Sequence, residues 1–112
     1  MTDCLFCKIV RGEIPATKVA ESERCLAFRD IAPKAPVHVL VIPKAHYGSL
    51  DAVPDAEVIG AMGMMAQQVA RQEGIAEKGY RCVINTGEDG GQTVGHVHMH
   101  VLGGRGLGWP PG

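Results

Sequence analysis

Three histidines alternate with apolar residues in the run His96-Val97-His98-Met99-His100-Val101, and the whole chain holds only five. Period two is the mark of a β-strand, whose same-face neighbours stand about 6.6–7 Å apart. The spacing predicts a strand over residues 96–102, with Val97, Met99 and Val101 entering the core and the imidazoles lined up on the opposite face. Near neutral pH an imidazole can act as nucleophile, general acid or base, or metal ligand. Three uses of the row stay open on the residues alone. One is a solvated polar face, a second is a metal site. The third is attack on phosphorus, where neighbouring imidazoles discourage one another's protonation and leave a lone pair free at pH 7.

The residues just upstream favour the third use. The segment 87–95 is rich in glycine and runs straight into the histidine row. Glycines let backbone N–H groups crowd around an anion, so this loop is a candidate phosphate cradle, against the plainer reading of a long hairpin connection. A second feature lies at the other end of the chain, where Cys4 and Cys7 form a Cys-x-x-Cys pair. That spacing suits either redox chemistry or half of a metal site. Cys25 and Cys82 stand singly in expected strands, where small apolar packing is the simpler role.

These groups need a scaffold, and the pattern predicts an α+β one. Asp3 is placed to cap a short helix over residues 4–11, stopped by Gly12. Short strands are expected over 17–21 and 24–29, around Ser22 and Glu23. A proline-containing loop over 31–36 precedes an almost continuous apolar strand over 37–42, interrupted only by His38 and ended by Pro43. Val58, Met62, Met65 and Val69 repeat as one stripe of a long helix over 55–73, which Gly74 terminates. A strand over 80–85, the glycine loop and the histidine strand complete the series. Strands that are mostly sequential, with one long and one short helix, imply an antiparallel sheet of about five strands with helices on one face.

Composition narrows the function. The 112 residues suffice for a single domain, 1–112, and a chain of this size buries roughly 60–70% of its unfolded surface. A net charge of −1 leaves no basic footprint for nucleic acid. No run approaches the ~20 apolar residues of a membrane span, and the N-terminus does not read as a signal peptide, so a cytoplasmic address is expected, with the cysteines as thiols or metal ligands.

Taken together, His-Val-His-Met-His-Val-Leu at 96–102, FRDIAPKAPVHVLVIPKAH at 28–46, NTGEDGGQTVGHVHMHVLGGR at 85–105 and the closing WPPG resemble the histidine triad superfamily, and within it the histidine triad nucleotide-binding proteins of the Hint branch. The resemblance spans almost the whole chain. It implies a homodimeric fold and a purine nucleoside phosphoramidase that hydrolyses AMP-amine substrates, with no metal needed for the chemistry. It assigns His98 as the nucleophile, His100 as the partner of the phosphoryl oxygens and His38 as the upstream relay histidine. Asp30 and Ile31 resemble the nucleoside-pocket pair, Asn85 the residue near ribose and phosphate, and Gly91, Gln92 and Thr93 the phosphate-facing loop. Thr93 stands where many members have serine, which keeps a hydroxyl for the leaving group. Some members bind zinc through residues corresponding to Cys4, Cys7, His46 and His96. The tail Trp109-Pro110-Pro111-Gly112 is implied to lie near the partner subunit's site, and the methionine-rich stripe of the long helix is a further candidate for the dimer surface beside its core role. A dinucleoside polyphosphate hydrolase and a binding module with little turnover remain the alternatives, with a metal-storage role more distant. His100 argues against the transferase branch, which carries glutamine there.

Overall fold

The computed structural model describes residues 3–112. Five strands form one antiparallel sheet: β1 Lys18–Glu21, β2 Cys25–Arg29, β3 Val37–Pro43, β4 Tyr80–Val83 and β5 Met99–Gly103, in the spatial order β1-β2-β3-β5-β4. β3 lies at the centre, and its buried run from His38 to Pro43 is the central strand that the apolar pattern predicts. Alternation along the strands sends Cys25, Ala27, Val39, Val41, Met99 and Val101 to one face. Leu26, Phe28, Leu40 and Ile42 go to the other.

Each face takes one helix, which differs from the one-sided arrangement expected. Helix α2, Ala56–Gln72, covers the first face with Val58, Met62, Met65, Ala66, Val69 and Ala70 buried, so its methionine stripe is largely core, while Met64 is exposed. Asp55 caps it by accepting from the Glu57 and Val58 N–H groups, and Gly74, at φ +73°, turns the chain out of it. Helix α1, Leu5–Val10, packs Phe6 and Ile9 against Leu26, Phe28, Leu40 and Ile42 on the second face. Its apolar residues have to cross to that side because α2 already fills the first.

Most boundaries move by a residue, and three of the differences bear on the site. Cys4, not Asp3, caps α1: its backbone is extended and its Sγ accepts the Cys7 N–H at 3.3 Å, while Asp3 is exposed. β4 stops at Val83 rather than Asn85. The histidine strand begins at Met99, not His96. The cause is opposite: Val41 pairs with Met99, but Pro43 has no N–H to give a continuing ladder, and its carbonyl is taken by the His96 side chain. Val97 instead donates its N–H to the Tyr47 carbonyl at 2.7 Å. Residues 96–98 are therefore a buried approach to the strand, and the single row of imidazoles becomes two groups.

Cys25 is fully buried, as a small core residue should be, whereas Cys82 is exposed on the edge strand β4. Among the described residues no helix is long and apolar enough to cross a membrane.

Candidate active site and metal centre

His38 on β3 and His100 on β5 sit on adjacent strands, on the face opposite α2, and their facing nitrogens, Nε2 and Nδ1, are 2.9 Å apart. The backbone N–H of Lys34 donates to His38 Nδ1 at 3.0 Å, so His38 carries its hydrogen on Nε2. That hydrogen points at His100 Nδ1, which must accept, and His100 is left with an N–H on Nε2. Asp30 Oδ2 lies 3.4 Å from His38 Nε2, and Asp30 Oδ1 accepts the Ala32 N–H at 2.8 Å, which fixes the carboxylate beside the pair. Burial holds His38 below the usual imidazole range, against the opposing pull of Asp30. His100 is pushed down to about 4, first by burial and then by His98 and His38. Both are neutral donors at pH 7.

His98 is buried just before β5, and its Nδ1–H donates to the carbonyl of His96 at 2.8 Å. The lone pair is thereby left on Nε2. Among the described residues Nε2 has no hydrogen-bond partner, and none of their fully buried side-chain nitrogens or oxygens lacks one, so Nε2 reaches the surface. The ring is held by aromatic neighbours. Phe6 of α1 stands edge-on to it at 5.1 Å and 87°, and the His100 ring is likewise 5.1 Å away. The pattern of the chain gave no hint of Phe6, although it lies between the two cysteines of the Cys-x-x-Cys pair.

His96 belongs to a different group. It is wholly buried, and its Nε2–H donates to the Pro43 carbonyl at 2.8 Å, which turns the Nδ1 lone pair toward Cys4 Sγ at 3.4 Å and Cys7 Sγ at 3.6 Å. His46 Nδ1 is 3.4 Å from Cys7 Sγ. All four ligand atoms lie within 4.8 Å of one another. A tetrahedral zinc with Zn–S near 2.3 Å and Zn–N near 2.0–2.1 Å separates its sulfur and nitrogen ligands by about 3.5 Å. The residues fit that ion, and the Pro43 carbonyl provides the outer hydrogen bond that ligating imidazoles usually make.

Asp30, His38 and His100 form a second cluster of comparable size, but hydrogen bonding decides against a metal there. The Lys34 N–H occupies His38 Nδ1, so the nitrogen facing the cluster bears a hydrogen and offers no lone pair. The first cluster turns thiols and an imidazole lone pair toward one point, while the second lines up N–H donors.

The remaining candidates are more dispersed. Gln92 braces the glycine loop: its Oε1 accepts the Gly87 N–H at 3.1 Å, and its Nε2 donates to the Gly48 and Val94 carbonyls at 2.7 and 2.9 Å. Gly91, at φ +78°, donates to Glu88 within the same turn. A Cβ at Gly90 would stand 2.3 Å from the Thr86 oxygen, so the loop closes only around glycine. Thr93 is exposed and, with Val94 and Gly95, faces Cys4 and His46 across an open depression of about 460 Å³. Asn85 is half-buried beyond β4, and Ile31 is fully exposed beside Asp30. Trp109 is also exposed, on a tail tied at its base by Arg81, which donates to the Leu107 and Gly108 carbonyls.

Comparison with known proteins agrees with this geometry. The HIT domain family matches residues 11–107. The chain belongs to the HIT family. It is 50% identical over 113 residues to the "14 kDa zinc-binding protein" of Zea mays, covering 96% of this chain and 87% of that protein. It is 49% identical to "Adenylylsulfatase HINT1" of Arabidopsis thaliana, over 96% of this chain and 76% of that one. Among solved structures, a HIT family hydrolase from Legionella pneumophila superposes with a TM-score of 0.95 at 51% identity, covering 98% of this HIT chain and all of the other.

Proposed function

We propose that this HIT protein is a nucleotidyl hydrolase that cleaves the P–N bond of adenosine 5'-phosphoramidates through a covalent AMP-histidine on His98. One observation carries the reading: the His96 carbonyl holds the His98 hydrogen on Nδ1 and leaves an outward lone pair on Nε2. In the first step that lone pair attacks the α-phosphorus, the P–Nε2 bond forms and the P–N bond to the leaving group breaks. The departing nitrogen keeps the electron pair of the P–N bond, takes up a proton from solvent and leaves as the amine, with the Thr93 hydroxyl as its hydrogen-bond partner. In the second step water attacks the same phosphorus and gives up a proton to solvent, the P–Nε2 bond breaks with its electron pair returning to Nε2, and AMP is released with His98 restored. The Nε2–H of His100, oriented by His38, donates to the phosphoryl oxygens on which charge builds. Neighbours that stay neutral at pH 7 do not compete for the proton balance of the nucleophile.

The same proposal assigns the substrate's other contacts. Asp30 and Ile31 receive the nucleoside, with the carboxylate accepting ribose hydroxyls, Asn85 stands near ribose and phosphate, and the Gly91–Gln92–Thr93 turn borders the phosphate. Cys4, Cys7, His46 and His96 hold a structural zinc, whose four protein ligands leave no position for substrate. The maize relative, a zinc-binding protein by name, supports that assignment. The protein acts in the cytoplasm as a homodimer, with the Trp109–Gly112 tail near the partner subunit's site.

A second reading concerns only the leaving group. The Arabidopsis relative is named for adenylyl sulfate, in which sulfate replaces the amine on the same α-phosphorus. Hydrolysis of an AMP phosphoramidate, adenylyl sulfate and diadenosine triphosphate, measured side by side with wild type and His98→Ala, separates the readings. Fast phosphoramidate cleavage that disappears in His98→Ala supports the proposal. Preference for the sulfate or the dinucleotide would reassign the leaving group. No turnover of any of the three would leave a nucleotide-binding module.

A further inference from the structure

His96 touches both centres through different atoms. Its ring joins the thiol cluster by Nδ1 and is pinned from behind by the Pro43 carbonyl on Nε2. Its backbone carbonyl accepts the His98 Nδ1–H. The other half of that same peptide group, the Val97 N–H, donates to the Tyr47 carbonyl at 2.7 Å. Tyr47 directly follows His46, the fourth residue of the cluster. One peptide plane is thus clamped between the segment 46–47 and the nucleophile, and each segment carries one imidazole of the cluster. The His46 and His96 rings are 5.0 Å apart at 87°, close enough for one ion to tie the segments together.

We propose that His96 is a positioning residue, and that metal held by Cys4, Cys7, His46 and His96 locks the 96–97 peptide so that the hydrogen of His98 stays on Nδ1. If the two segments separate, the His96 carbonyl turns away and nothing keeps that hydrogen from moving to Nε2, the nitrogen that must attack. Occupancy of the cluster then sets the fraction of molecules able to react. The metal takes no part in the reaction itself. This inference rests on His98 being the nucleophile, as proposed above. Cys4 and His46 line an open depression, so a chelator can reach the ion.

The test reads the proton on His98 directly. Protein labelled with 15N-histidine is followed by imidazole 15N NMR while zinc is withdrawn with a chelator, and His46→Ala and Cys4→Ser, each lacking one residue of the cluster, are recorded beside it in the same zinc-containing buffer. The Cys4→Ser variant keeps a hydroxyl oxygen where the sulfur caps α1, so it preserves the helix start. We expect zinc-loaded wild type to show His98 as the Nδ1–H form alone. The stripped protein and both variants should show a mixture of the two forms, with phosphoramidate turnover reduced about 10- to 100-fold. A folded, metal-free protein that keeps pure Nδ1–H His98 would overturn the inference. So would a chelated protein that loses all amide dispersion, since the cluster would then support the fold and not the nucleophile. If zinc-loaded wild type turns over no phosphoramidate, the proposed function fails, while the 15N signals still decide this point.

Discussion

His38 Nε2 and His100 Nδ1 lie 2.9 Å apart across β3 and β5, with the Lys34 N–H on the far nitrogen of His38. This pair makes proton direction a property of the backbone. Because Lys34 is a donor, His38 must donate onward, and His100 must in turn present an N–H at its outer nitrogen.

Acid should destabilise the fold through these residues. The folded-state pKa of His100 is about 4 against an ordinary 6.5, and burial also lowers His38. The unfolded chain therefore binds more protons than the native one over that interval. Stability is full above pH 6.5 and falls as pH drops from 6.5 toward 4. Urea midpoints measured across this range should decline for wild type and decline less for His100→Gln. Equal slopes would remove His100 from the linkage.

The metal assignment has its own check. His46→Ala should lose zinc, measured as metal per chain, because it leaves a single imidazole beside the two thiols. His98→Ala should retain it, since His98 faces His100 and Phe6 and is not a cluster residue. Zinc lost equally from both would fit a metal site spread along the histidine row.

The glycine loop should be sensitive at one position. In Gly90→Ala the new methyl would have to displace the Thr86 carbonyl, and the loop bordering the proposed phosphate site would shift. We expect kcat/KM to fall by up to about 100-fold, with only a small change in melting temperature because the loop is on the surface. Unchanged turnover would show that this loop does not orient the substrate.

In the core, Met62→Ala empties a fully buried site on α2 and should cost about 2–5 kcal/mol in denaturant unfolding. A cost well under 1 kcal/mol would mean that the surrounding core collapses to fill the gap.

Much of this architecture is legible in the sequence. Val58, Met62, Met65 and Val69 are buried on α2 as their spacing requires, and the apolar run of β3 is central. The features that escaped depend on long-range partners. Nothing local in 96–102 shows that Pro43 stands opposite and denies the ladder its next N–H, so the strand appears three residues too long. Gln92 reads as a phosphate-loop residue, yet the carbonyls that hold its amide belong to Gly48 and Val94. Phe6 acquires its place against His98 only when α1 crosses to the face that α2 leaves open. Cys4 replaces Asp3 as the cap because its sulfur, drawn toward His96, also lies over the Cys7 N–H.

The central claim is that His98 Nε2 becomes bonded to phosphorus. Wild-type protein mixed with an AMP phosphoramidate, quenched in alkali within a single turnover and digested, should yield the peptide containing His98 with one AMP added. His98→Ala should yield no adduct and no hydrolysis. An adduct on His100 or His38, or full turnover in His98→Ala, would contradict the account.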